Sequence, residues 1–184
     1  MDLASFKIYV CNAFPILPWW HWMVMAFVAL GGVVWSVWRK KVSIYGGVIV
    51  GFVVFYVLFL LEALVINRMG RPVSFNPALN LSDEYQRLVN GNQAFWIYLF
   101  FNVVAFIPFG FLLSEAFSAR GKKRNWSITV LVTLGLSLLV ESLQWILQVG
   151  FFEVTDLMLN TLGGAIGAGV ALGVRALFVK KKTI

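Results

Sequence analysis

Glu141, Gln144 and Gln148 stand in one strongly apolar run of this sequence, and Asp156 and Asn160 open the next. Carboxylates and amides in such surroundings have three chemical uses. They can hydrogen-bond a donor-bearing ligand, move a proton between an acid and a base, or hold a divalent cation with neutral oxygens beside it. Spacing groups them. Thr133, Ser137, Glu141, Gln144 and Gln148 recur at steps of 4, 4, 3 and 4, which defines one face of an α-helix. Asp156 and Asn160 lie one turn apart, and Gly163, Gly164 and Gly167 continue their face. Asn102, Phe106, Gly110 and Ser114 share a third. Ser142 sits one residue off the polar stripe, so no nucleophile has an adjacent base. A binding site is therefore favoured over an enzyme acting on a lipid-linked envelope precursor, which is the competing reading.

The elements that must position these residues follow from composition. The chain has 184 residues, of which 60% are hydrophobic and 12% charged, with a mean hydropathy of +0.84. That balance belongs to an integral membrane protein. Five apolar runs reach the ~20 residues that a helix needs to cross a bilayer: Pro18 to Trp38, Ile44 to Ile66, Phe95 to Phe117, Trp126 to Val149, and Val154 to Val179. The expected fold is all-α, a polytopic bundle of about five transmembrane helices forming one domain over 1–184, since neither a linker nor a repeat divides the chain. Cys11 is the lone cysteine and His21 the lone histidine, which excludes an internal disulfide and a zinc finger and argues against a Ser-His-Asp triad elsewhere in the chain. His21 reads as an interfacial residue among Trp19, Trp20 and Trp22. No metal and no cofactor are expected, and no cleaved signal, because a basic n-region is missing.

The net charge of +7 does not point to nucleic acid, because the basic residues form short clusters between apolar runs. Eleven of the fifteen fall in the first loop, the third loop and the C-terminal end; Lys7, Arg68, Arg71 and Arg87 fall on the other side. Lys and Arg in short loops stay cytoplasmic. The N-terminus is therefore expected outside the bacterial cell membrane and the C-terminus inside. The longest connection, Asn67 to Ala94, would face outward, with a short helix over "LSDEYQRLV". At 1.5 Å per residue, Asn160, Gln144, Asn102 and Glu141 all lie about 6 to 12 Å below the outer surface, with Asp156 above them. A lipid-facing acid at that depth costs on the order of 3 kcal/mol. These residues are thus expected to line an outward-opening polar cavity, with Arg68 or Arg71 reaching down as partners. Gly163/Gly167 and Gly169/Gly173 are assigned to close helix packing, and Pro108 to a kink.

Three ordered blocks then carry a resemblance: "NVVAFIPFGFLL" from Asn102, "ESLQ" from Glu141, and "DLMLNTLGGAIG" from Asp156. Over roughly Val50 to Arg175 the chain resembles the VanZ-like family of bacterial membrane proteins, named after an accessory factor in resistance to the glycopeptide teicoplanin. The helix at 18–38 lies outside it. The resemblance implies a role at the outer face against a lipoglycopeptide and attaches no chemical reaction. Together with the residues, it makes Asn102, Glu141, Gln144, Asp156, Asn160, Arg68 and Arg71 the candidate ligand-binding set. The expected partners are membrane lipids, a lipid-linked cell-wall precursor or a lipoglycopeptide. The family usually has an Arg shortly before the Asp of the last block; here Gly150, Phe151 and Phe152 occupy that stretch, leaving Arg68 or Arg71 to substitute.

Overall fold

The computed structural model describes residues 18–39, 43–69, 93–119, 126–150 and 152–180. They form five long helices: α1 (Trp19–Trp38), α2 (Ile44–Leu64), α3 (Gln93–Ala119), α4 (Trp126–Ile146) and α5 (Val154–Lys180), with a 3-10 turn at Ile66–Arg68 after α2. Each is long and apolar enough to span a membrane. Lipid offers the backbone no hydrogen bonds, so an apolar run of this length must satisfy its own amides, and a helix does so within one segment.

The ends are set by local chemistry. Ser43 caps α2, its Oγ accepting from the Gly46 amide at 3.2 Å, as an N-cap serine does for an otherwise orphaned amide. The other end of α2 is capped from a distance, since Gln144 Nε2 donates to Leu64 O at 3.0 Å. The end of α4 departs from the expected span to Val149. Gln148 adopts φ 55°, the Val149 amide donates back to Gln144 O at 2.9 Å, and the Gln148 amide to Trp145 O at 3.2 Å. These are the two bonds of a Schellman motif. Gln148 therefore leaves the polar stripe and is exposed.

α3 sits at the centre, packed most extensively on α5 and also on α2 and α4, while α4 packs on α5 and α1 on α2. Glycines make the α3–α5 seam possible. A Cβ on Gly163 or Gly167 would collide with the carbonyl oxygens of Val103 and Ile107, and one on Gly110 with the backbone of Gly164. Backbones this close exchange dispersion and weak Cα–H···O contacts that larger side chains would forbid. Pro108 leaves α3 continuous, and in its turn Tyr56 donates to Ala105 O at 2.8 Å. Beside the seam, Leu60, Phe106, Phe109 and Leu113 form the main apolar core.

Gly169 and Gly173 pack on none of the described residues: none lies within 4 Å of a Cβ on either. Six residues beyond Gly163, the helix has turned about 240° away from α3. The face of α4 opposite its polar stripe is exposed apolar surface, including Leu131, Leu138, Leu139 and Ile146, as lipid contact requires. The helix expected over "LSDEYQRLV", most of the long loop expected to face outward, and Arg71 lie outside the described residues.

Candidate functional site

The polar residues meet at the end of the bundle where α2 and α4 finish and α3 and α5 begin. The α4 Schellman turn reverses the chain there, and Val149 tucks under it against Val65 and Val140. The returning segment brings the Glu153 amide to Glu141 Oε2 at 3.0 Å. One turn of α5 later, Asp156 accepts from Asn102 Nδ2 of α3 at 2.6 Å and from the Tyr98 hydroxyl. That same hydroxyl lies 3.0 Å from Glu153 Oε2. Three helices and a connecting turn thus converge on one group of carboxylates.

Burial there is deep: Glu141 is 1% exposed, Gln144 2%, Asn160 3% and Asp156 5%. Asp156 occupies the first turn of α5, where the positive end of the helix dipole favours a negative charge. Arg68 approaches from the 3-10 turn. A Cβ on Gly150 would lie 3.4 Å from Arg68 Nη1 and 3.1 Å from Gln144 Oε1, so the guanidinium stands beside the stretch where the family pattern carries an arginine. Its charge reaches both Glu141 and Asp156.

The expected set divides under this geometry. Asn102, Glu141, Asp156 and Arg68 gather around the α4–α5 turn. Gln144 belongs to the same end, but its amide nitrogen is committed to Leu64 O. Asn160 is one turn deeper and donates to Ser137 Oγ at 3.0 Å, so Asn102 pairs with Asp156 instead of Asn160. Deeper still, Thr133 donates to Thr129 O of its own helix at 2.9 Å and lies against Gly164 of α5, so the lower half of the stripe is helix packing. Of the aromatics near this end, Trp96 and Trp145 are exposed, while Phe106 is a core residue at 0%.

Two members escape a reading by stripes. Tyr98 lies one turn before Asn102 on the same face, and extending the Asn102–Phe106–Gly110 series by one step finds it. Glu153 precedes α5, where no periodicity operates. A third polar contact lies apart from the site: His21 Nδ1 sits 2.6 Å from Glu62 Oε1. His21 therefore bridges α1 to α2 instead of lying free at the interface.

A five-helix membrane bundle with a buried carboxylate, amide and tyrosine cluster at one end of its central helix defines the class. The chain belongs to the VanZ/LLP1 family, which it matches over residues 48–178. It is also similar to Protein VanZ of Enterococcus faecium, 38% identical over 66 residues that make up 36% of this chain and 38% of the relative. The match thus spans about two-fifths of that relative's length. No solved structure matches the chain. The family match begins within α2, so α1 is an addition to it.

Proposed function

We propose that this is a bacterial cell-membrane protein whose carboxylate-rich end faces outward and binds the polar part of an amphiphile. A lipid, a lipid-linked cell-wall precursor or a lipoglycopeptide all fit that description. Through this binding the protein contributes to glycopeptide resistance of the teicoplanin type. The observation that carries the reading is the convergence of Asn102, Glu141, Glu153, Asp156 and Tyr98 from separate segments at one level. Helix packing alone does not call for three acids together, because burying each is costly in lipid. Small polar residues suffice lower down, as Ser137, Thr133 and Thr129 demonstrate.

The outward orientation is supported by charge. Arg39 and Arg175 lie at the opposite end, toward the basic clusters that belong on the cytoplasmic side. Fluorescent teicoplanin titrated onto the purified chain in nanodiscs tests the proposal. E141Q together with D156N should weaken binding by at least about tenfold, equivalent to 1.4 kcal/mol, at unchanged membrane abundance. Unaltered affinity would remove the site from the account. Incubation with a membrane lipid extract separates binding from catalysis, since turnover of an envelope lipid would favour the enzyme reading.

A further inference from the structure

The end of α1 remote from His21 carries a feature that the polar site does not use. The Arg39 amide closes the last turn of the helix on Trp35 O at 3.0 Å, and the Arg39 side chain turns back over two indoles. Its guanidinium carbon lies 4.5 Å from the centroid of the Trp35 ring and 5.8 Å from that of Trp38, and the rings themselves are 5.9 Å apart. All three residues are exposed. Stacking engages the face of a guanidinium and leaves its N–H bonds directed outward in the plane. A fork presented in that way suits a phosphate, which takes two parallel hydrogen bonds. None of the described carboxylates pairs with Arg39.

A second observation points to the rest of the ligand. Val24, Val28, Gly31, Trp35 and Trp38 recur at steps of 4, 3, 4 and 3 and form one face of α1. It is turned away from α2, whose Gly47 and Gly51 meet Val33 and Val37 instead. The valine and tryptophan side chains of this face are exposed, and a Cβ on Gly31 would meet nothing within 4 Å among the described residues. Helical side chains lean toward the N-terminus of their own helix, so the Trp35 indole leans toward Gly31 without filling the space beside it. The face therefore dips between Val28 and Trp35, and the dip leads to the guanidinium.

We propose that this face of α1 holds an anionic phospholipid, its phosphate in the plane of the Arg39 guanidinium and one acyl chain in the dip at Gly31. Charge complementarity selects the headgroup. A net negative headgroup answers Arg39, whereas a zwitterionic one brings a second cation to the same place. The apolar dip selects a lipid over a soluble phosphate, because only a lipid has a chain to lay there. Lysine at position 39 would supply the charge that membrane topology uses but neither the stack nor the planar fork. The inference is independent of the α4–α5 site, which lies at the other end of the bundle. It concerns a helix outside the VanZ/LLP1 match, which begins at residue 48.

Native mass spectrometry of the full chain in maltoside micelles tests this, with phosphatidylglycerol, phosphatidylcholine and glycerol phosphate as titrants and the affinity of the first bound molecule as the readout. The expected result is phosphatidylglycerol at least about tenfold tighter than either of the others. R39K, which keeps the charge, and Gly31→Leu, which fills the dip, should each weaken phosphatidylglycerol by at least about fivefold. K181Q removes one positive charge elsewhere in the sequence and should leave it unchanged. A leucine at 31 meets none of the described residues at its Cβ, and the comparison among titrants uses the native chain, so the test does not depend on a variant that misfolds. Equal affinity for the two lipids, native affinity in R39K or in Gly31→Leu, or glycerol phosphate binding as tightly as the lipid would each overturn the inference. A loss in K181Q as large as that in R39K would do the same, by reducing the effect to net charge.

Discussion

The polar end of the bundle and the glycine seam are built on the same helices, yet they hold those helices together by opposite means. At the seam, Gly110, Gly163 and Gly167 bring the backbones of α3 and α5 together, and Gly164 makes room for the Thr133 side chain of α4. At the polar end, polar side chains reach across the gaps: Tyr98 and Asn102 to Asp156, and Glu141 to the Glu153 amide. The seam joins its helices through backbone and small side chains, whereas the polar end joins them through carboxylates, an amide and a hydroxyl. The first is a scaffold, and the second is where the proposed site lies.

The sharpest way to break this comparison is to fill the seam. Gly163→Leu drives a branched side chain into the Val103 carbonyl, and overpacking of a rigid interface costs about 3 kcal/mol or more. Little folded protein should reach the membrane, as measured by the monodisperse fraction on size exclusion. Gln144→Leu is the next largest, since it uncovers Leu64 O at the end of α2. A buried carbonyl left without its donor costs about 1 to 3 kcal/mol, which thermal unfolding in detergent should register. Gln148→Gly acts in the opposite direction. The residue sits at φ 55°, where a Cβ costs roughly 1 kcal/mol, so the variant should melt higher than the native chain. Gly169→Ala should do least, within about 0.5 kcal/mol, because nothing among the described residues lies near that position. A large loss there would show that α5 has a partner on its open face.

Much of the fold was legible because apolar runs long enough for a bilayer leave few alternatives to a helix. Helix ends were less so. The α4 terminus is closed by a left-handed residue that is usually glycine, and here it is Gln148, so the stop carried no visible signal. The glycines show how one spacing can mislead: Gly163/Gly167 and Gly169/Gly173 have the same interval but point to different sides of α5. Within the site, Asn102, Glu141 and Asp156 were readable because periodicity put each on an inward face. Tyr98 was hidden by its type, since an aromatic residue near a helix start suggests a membrane-interface anchor. Glu153 lies in a turn, where only the reversal of the chain brings it to Glu141. The His21–Glu62 pair joins residues 41 apart, which no local pattern encodes.

α1 offers a contrast of its own. It is held to α2 by Val33 and Val37 against Gly47 and Gly51, by Trp22 stacked over Phe55 and Phe59, and by His21 on Glu62. None of these contacts reaches the α4–α5 turn, and the helix lies outside the family match. His21→Ala should therefore loosen α1 and leave the polar end unchanged.

The central claim is that the carboxylates at the head of α5 serve a ligand and not the stability of the bundle. The most direct test is protection against teicoplanin in a susceptible bacterium expressing either the native chain or D156N at matched membrane abundance. The substituted amide keeps the shape of the side chain and removes its charge, so the account predicts an equally abundant protein that no longer protects. Full protection by D156N would contradict it.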